Sequence, residues 1–220
     1  MYDRETESLW NQLTGEPVIG PLANSGIKLD FFPVLLTTWQ EWVDEHPDTT
    51  VLSIYTDIYP PDLYLPESDP ASSYYDYRNR PGPLFPIWNI GPQMKAKDLV
   101  LGLNIGESYK AYPVRTLQTD LVVNDQVGNV KVVIVTPTQS QAIRVYERGH
   151  YTFSLPSHSV LKNTSTLQDS SGETWNITEA ALIHSLNSDV MLLRIPSNLV
   201  YWMGWSSFHP ETELYESETE

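Results

Sequence analysis

The sequence predicts a β-rich α+β fold with two related halves, each ending in a short helix that carries a Trp-x-x-Trp pattern. Two observations predict this class. A motif occurs twice, in residues 29–49 and 192–212, with Leu, Pro, two Trp, His, Pro and Thr at the same ungapped positions. Residues 97–165 consist of short runs of strand-forming residues separated by turn residues, as is typical of β-sheets. We call the two copies the N-terminal motif and the C-terminal motif.

Upstream of the two motifs, the halves differ in length. Trp10-Asn11 and Trp175-Asn176 extend the match, but only the second copy is preceded by a strand-rich block. Two alternatives are open: the duplication was partial, or the sequence begins inside a longer protein. We therefore expect four segments: residues 1–58 as the C-terminal part of a first repeat, 59–95 as a connecting loop rich in Pro and Tyr, 96–215 as a second, more complete repeat, and 216–220 as an acidic tail.

In the first half, the local signals predict short strands and one helix. Residues 27–31 and 51–55 alternate or cluster apolar side chains in the manner of strands. Between them, Thr38 suits a helix N-cap, with Glu41 at the position that completes a capping box. Pro47 disfavours helical geometry at the residue before it, so the helix is expected to end there.

The connecting loop and the second half have different signals. Residues 59–92 contain eight prolines among many aromatic residues, which predicts a loop without regular structure, pinned to a core by tyrosines. The alternative is an arm that docks on a partner. The second half predicts hairpins and strands before the second tryptophan helix, in residues 99–112, 121–135, 142–146, 151–155 and 191–195.

The composition excludes several classes of protein. The net charge of -15 argues against a nucleic-acid partner and indicates a soluble, self-repelling surface. The absence of cysteine excludes disulfides, zinc–thiolate sites and cysteine nucleophiles within these residues. No apolar run reaches the roughly 18 residues of a membrane span. Residues 1–4 show no signal peptide, and no cofactor is predicted.

One candidate site is a symmetric set of possible metal ligands: His46 and Asp48 in the N-terminal motif, and His209 and Glu211 in the C-terminal motif. Imidazole and carboxylate groups suit divalent metals. The structural alternative is that the His-Pro-acid-Thr segment stops a helix, because histidine is favourable near the C-terminal end of a helix dipole. We expect the second outcome, and no tight binding of a transition metal.

A second candidate is an aromatic platform for a sugar or a cation, formed by Trp39, Trp42, Trp202 and Trp205. The alternative, which we favour, is that these four side chains anchor the core, because large aromatic residues at i and i+3 share one face of a helix. The remaining candidates are weaker, since His150, His158 and His184 have no ligand spacing and Ser206 and Ser207 lack the glycines of a nucleophile elbow.

The chain resembles the uncharacterised prokaryotic family called domain of unknown function 3179. The resemblance covers most of the chain and lies in the repeated motif, whose C-terminal copy contributes residues 202–212, and in residues 1–16, 20–22, 101–102, 109–113 and 123–128. It implies a further N-terminal block like residues 97–165, with a Cys-Pro-x-Cys-Gly segment, and a His-Glu pair before the Val-Asn-Asp segment. Neither cysteine is present here, and Gln118-Thr119-Asp120-Leu121 stands in place of the pair.

The residues favour a non-catalytic binding or structural module, because no catalytic constellation is visible. The alternative is a fragment of a metal-dependent or redox enzyme whose reactive block lies upstream of Met1. The expected partner is that upstream block or another protein.

Overall fold

The computed structural model describes residues 1–138, 140–156 and 165–217. In this part of the chain the strands form four sheets, accompanied by a few short helices, so the prediction of a β-rich α+β fold is confirmed at this level. His158 and residues 218–220 of the acidic tail lie outside the described residues.

The first half forms a small antiparallel sheet and one helix. The elements are β1 (Tyr2–Asp3), β2 (Ser8–Trp10), β3 (Pro17–Ile19) and α1 (Trp39–Glu45). The strand predictions for residues 27–31 and 51–55 are wrong, because neither segment belongs to a strand. An alternating pattern becomes a strand only when a neighbouring strand accepts its backbone hydrogen bonds, and none of the described segments does so here.

The loop rich in Pro and Tyr is more ordered than its prolines predict. A short 3-10 turn spans Pro61–Leu63, and the helix α2 (Tyr75–Asn79) forms in a stretch without proline. Tyr77 is half-buried, its carbonyl accepts a hydrogen bond from Lys97, and the Lys97 Nζ lies 3.9 Å from the Tyr77 ring centroid. Tyr77 thus contacts Lys97, whereas Tyr74 and Phe85 are exposed, and the attachment of this loop to a core by tyrosines stays a prediction.

The second half contains most of the strands. Its elements are β4 (Leu99–Ile105), β5 (Ser108–Pro113), α3 (Val114–Asp120), β6 (Val122–Val127), β7 (Val130–Val135), β8 (Arg144–Glu147), β9 (Phe153–Ser154), β10 (Thr166–Asp169), β11 (Thr174–Ile177), β12 (Ala181–His184), β13 (Met191–Leu193), β14 (Asn198–Tyr201), α4 (Trp202–Phe208) and β15 (Glu213–Leu214). The predicted hairpins correspond to β4–β5 and β6–β7.

These strands form three sheets. Their orders are β14-β4-β5-β15, β6-β7-β8 and β13-β12-β11-β10-β9. All the pairings are antiparallel except that of β15 with β5. The hairpin β4–β5 is thus flanked on one edge by the strand that leads into α4 and on the other by the strand that follows it.

Side-chain alternation explains how the sheets stack. In β7, Val132 and Ile134 pack into the core shared with β4 and β5, while Val133 and Val135 pack into the core shared with Trp175 of β11. Successive residues of a strand point to opposite faces, so the sheet β6-β7-β8 is buried on both sides.

The same alternation divides β4 between two cores. Leu101 and Leu103 face the sheet β6-β7-β8, whereas Val100 packs with Trp202 and Trp205 of α4. Gly102 also lies on the α4 side, where a Cβ atom added to the glycine would stand 2.3 Å from the Trp205 ring. A glycine is needed at this position because the indole occupies the space of its side chain.

Candidate binding site at the two tryptophan helices

The helix α1 begins with a complete capping box, as the sequence predicts. The Thr38 hydroxyl accepts a hydrogen bond from the Glu41 amide at 3.2 Å, and the Glu41 carboxylate accepts one from the Thr38 amide at 3.2 Å. Burial raises the pKa of Glu41, but hydrogen bonds from the Thr37 hydroxyl and the Thr38 amide outweigh it and hold the pKa below its ordinary value. The start of this helix is therefore satisfied by its own side chains.

The helix α4 begins without a side-chain cap. Its first two amides, of Trp202 and Met203, donate to the carbonyls of Asp98 and Ala96 at 2.8 Å and 2.9 Å. These acceptors lie just before β4. The start of α4 is thus satisfied by the segment that leads into the hairpin on which the helix packs.

The two motifs end in the same way. In each, the histidine amide donates to the carbonyl of the second tryptophan, at 2.8 Å and 2.9 Å, and the indole N–H donates to the threonine hydroxyl, at 2.9 Å in both. The φ and ψ angles of the histidines are -133° and 70° in one copy, and -128° and 68° in the other. The residues concerned are Trp42, His46 and Thr49, and Trp205, His209 and Thr212.

Both histidines pack against the tryptophan that precedes them. The ring centroids are 4.1 Å apart for Trp42 and His46 and 4.3 Å apart for Trp205 and His209. In both histidines, the Nε2 atom is buried and has no hydrogen-bond partner among the described residues. Burial lowers the pKa of His209, and the charge of Lys28 lowers it further.

The candidate metal ligands are not brought together. Asp48 and Glu211 are exposed, whereas His209 is buried. Within residues 1–138, 140–156 and 165–217, no group of three or more His, Cys, Asp or Glu side chains could hold a metal ion. The proposed set of His46, Asp48, His209 and Glu211 therefore forms no such group.

The four tryptophans differ in burial between the copies. Trp202 and Trp205 are 1% and 0% exposed, so the prediction that they anchor the core is confirmed. The same prediction is wrong for Trp39, which is 58% exposed, and Trp42 is only half-buried. The physical reason is that α4 packs on β4 and β5, while the described residues supply no sheet beneath α1.

The family profile described as "Protein of unknown function (DUF3179)" matches residues 1–212. The chain belongs to this family. No curated protein and no solved structure matches the DUF3179 chain significantly. None of the helices in the described residues has the length and hydropathy of a membrane span.

Sequence reasoning missed two buried arginines that hold the N-terminal motif of the DUF3179 chain. Arg144 donates to Glu45 of α1 at 2.7 Å and to Glu179 at 3.3 Å. Arg194 also pairs with Glu179, and it donates to the carbonyl of Val34 at 3.0 Å. The sequence signal was a single arginine inside an otherwise apolar strand sequence, at Ile143-Arg144-Val145 and Leu193-Arg194-Ile195, since a buried charge needs partners.

Sequence reasoning also missed a polar groove beside β6, with a cavity of about 790 Å³. Asp125 accepts a hydrogen bond from Tyr112 at 2.8 Å and pairs with Lys110 at 2.8 Å. Burial, followed by the charge of Asp125, raises the pKa of Tyr112. Asp120 accepts a hydrogen bond from Tyr215 at 2.9 Å. These groups satisfy one another and together stabilise the groove.

The remaining nucleophile and base candidates are engaged in structural contacts. The hydroxyls of Ser206 and Ser207 donate to the helix carbonyls of Trp202 and Met203 at 2.8 Å and 2.6 Å. They are therefore not paired with His209. The Nε2 atom of His184 contacts the Glu173 carboxylate at the sheet surface.

Proposed function

We propose that the chain is a non-catalytic binding or structural module whose binding face is the N-terminal tryptophan helix. One observation carries the proposal: the two motifs share their local geometry, yet Trp202 is 1% exposed and Trp39 is 58% exposed. Exposed aromatic residues held on a rigid element are typical of sites that bind another protein.

The proposal includes two related halves with the boundaries 1–58 and 96–215, joined by the loop 59–95 and followed by the tail 216–220. A likeness between the hairpins β1–β2 and β10–β11 supports it. Asp3 and Asp169 each follow the same pattern, accepting a hydrogen bond at 2.9 Å from the amide two residues later. Each aspartate also interacts with a tryptophan on the next strand, Trp10 or Trp175.

The partner is a polypeptide, either a block upstream of Met1 or another protein. The chain carries 28 acidic and 13 basic residues, which disfavours nucleic acid. The engaged hydroxyls of Ser206 and Ser207 disfavour hydrolysis.

Hydroxyl-radical footprinting tests the proposal. The purified chain and the chain in an extract of the cells that contain it are compared, with Trp88, which is 90% exposed and outside the motif, as the internal reference. We expect Trp39 to be protected in the extract while Trp88 is modified equally in both samples. Equal modification of Trp39 in both samples would contradict a binding role for α1.

The alternative, a fragment of a metal-dependent or redox enzyme, is favoured by one observation: the buried and unpartnered Nε2 atoms of His46 and His209. Calorimetric titration of metal-free chain with zinc and with copper tests it. One-to-one binding at about micromolar affinity, lost in both His46→Ala and His209→Ala, would support the enzyme alternative. An in-frame extension with paired cysteines in the DNA upstream of the Met1 codon would support it as well.

A further inference from the structure

The C-terminal motif shows what a tryptophan helix of this type packs on. The strand before the helix, β14, pairs antiparallel with β4, and the strand after it, β15, pairs parallel with β5. The amide of Tyr215 continues the second ladder by donating to Ala111 at 2.9 Å. The strands β14 and β15 therefore pair with the two edges of the hairpin β4–β5, and the helix α4 covers one of its faces. We call β14, α4 and β15 together the filled cradle.

The face of the hairpin β4–β5 that contacts α4 is complementary in shape to the tryptophan side chains of that helix. Small residues, Gly102 and Ala111, lie on the face that receives Trp202 and Trp205. The indole N–H of Trp202 donates to the carbonyl of Gly91 at 2.7 Å, so the segment before β4 takes part in the contact. The filled cradle thus holds the hairpin β4–β5, which has glycine and alanine beneath the indoles of Trp202 and Trp205.

The N-terminal motif has the same order of segments, but no hairpin of the described residues packs against its helix. Aligned with the filled cradle, β14 corresponds to residues 35–38, α4 to α1, and β15 with Tyr215 to residues 50–52. We call these three segments the open cradle. Residues 35–38 and 50–52 belong to no strand, and Val51 and Leu52 are 66% and 89% exposed. A cavity of about 410 Å³ separates Leu35 and Leu36 from residues 196–200, which include the start of β14.

Segments that flank a helix and belong to no strand leave backbone groups that can pair with an added strand. The charge of the open cradle also specifies its ligand. Its three segments contain Glu41, Asp44 and Glu45 and no Lys or Arg, and Glu45 is already paired with Arg144. The segment 90–113, which fills the other cradle, carries Lys95, Lys97 and Lys110 against only two acidic residues. Opposite charges favour association of such surfaces.

We propose that the open cradle binds a β-hairpin of the β4–β5 type, supplied from outside these 220 residues, with small residues beneath Trp39 and Trp42. One strand of the hairpin pairs antiparallel with residues 35–38 and the other pairs parallel with residues 50–52. This inference rests on the proposed binding function and specifies the partner of the same site.

The test uses the full chain and a synthetic peptide of residues 90–113, which contains no tryptophan. The chain carries Trp88→Phe, which removes the most exposed indole outside the cradle. We expect a saturable blue shift of tryptophan fluorescence with a Kd below about 1 mM. Amide hydrogen exchange should slow at residues 35–38 and 50–52, and the affinity should fall as salt is added.

Two matched controls test the geometry. Leu52→Pro removes the amide equivalent to that of Tyr215 and should weaken peptide binding by about tenfold, whereas Leu52→Ala keeps the amide and should retain binding. A peptide with Gly102→Leu should not bind, because its side chain would overlap the indole. Absence of a saturable shift, or equal binding in either control pair, would overturn the proposal.

Two outcomes separate this inference from the proposed function. If Trp39 is protected in the cell extract but the peptide does not bind, the proposed binding function of α1 stands and the proposal of a hairpin as its partner is wrong. If the mass of the chain alone doubles with concentration while its tryptophan fluorescence shifts to the blue, the occupant is a second copy, which also overturns the inference. If Trp39 is unprotected in the extract although the peptide binds, the proposed function fails and the open cradle remains capable of accepting a hairpin.

Discussion

The N-terminal and C-terminal motifs contain helices of seven residues each and the same ending, but they differ in what lies beneath them. The helix α4 packs two buried indoles against β4 and β5, whereas α1 leaves Trp39 exposed. Isolated helices of this length are unstable in water. The comparison therefore separates two sources of helix stability: packing on a sheet, and hydrogen bonds made within the motif itself.

The hydrogen bonds at the N-terminal ends of α1 and α4 also differ. At α1, Thr38 and Glu41 form a capping box, while α4 has no side-chain cap and donates its first amides to the backbone before β4. The exposed helix carries its own cap, and the buried helix relies on its neighbour.

The largest expected difference comes from the first tryptophan of each motif. Trp202→Ala removes a fully buried indole and should lower the free energy of unfolding by roughly 3–5 kcal/mol. Trp39→Ala changes a side chain that is 58% exposed and should cost less than about 1 kcal/mol. Urea unfolding of both variants measures the difference. Equal losses would show that Trp39 is buried in solution and would remove the contrast between the motifs.

The next effect concerns the contact between the hairpin and α4. Gly102→Leu places a side chain where the Trp205 ring lies and should destabilise the chain by about 3 kcal/mol. Gly204→Ala is the matched change on the helix, with no atom within 4 Å of the new methyl group, and should stabilise the chain by about 0.5–1 kcal/mol. Thermal unfolding distinguishes the two. A stable Gly102→Leu variant would mean that α4 does not pack closely on β4.

A smaller effect is expected at the threonine that each indole contacts. Thr212→Val leaves the N–H of the buried Trp205 without its partner and should cost about 1–2 kcal/mol. Thr49→Val should cost less than about 0.5 kcal/mol, because water can reach the half-buried Trp42. Both free energies come from denaturant titrations. A larger loss for Thr49→Val would contradict the exposure of α1.

The smallest effect is a pH dependence at His209. Burial holds its pKa below the value in the unfolded chain, so the unfolded chain binds more protons as the pH falls below about 6.5. Stability should therefore decline on acidification through this range, and His209→Phe should decline less. Unfolding free energies at about pH 7.5 and pH 5 test this. An equal decline in the variant would exclude His209 as the cause.

The local signals in the sequence determined much of the structure. The capping box at Thr38, the end of α1 before Pro47, and the hairpins β4–β5 and β6–β7 depend on neighbours within a few residues, so a pattern of residue types is enough to predict them. The contacts of the two motifs could be predicted only in part. The motif singled out the tryptophans and the histidine of both copies, but Arg144 and Arg194 were missed because their partners are distant in the chain.

The tertiary structure alone decided which copy of the motif is buried. The same Trp-x-x-Trp-x-x-x-His pattern specifies the same helix and the same ending in both places, since these are set by contacts within the motif. Burial depends instead on a separate hairpin, which the sequence places before α4 and the described residues do not place against α1. For the same reason, residues 51–55 have the composition of a strand but form none: a strand requires a neighbour that its own sequence cannot supply.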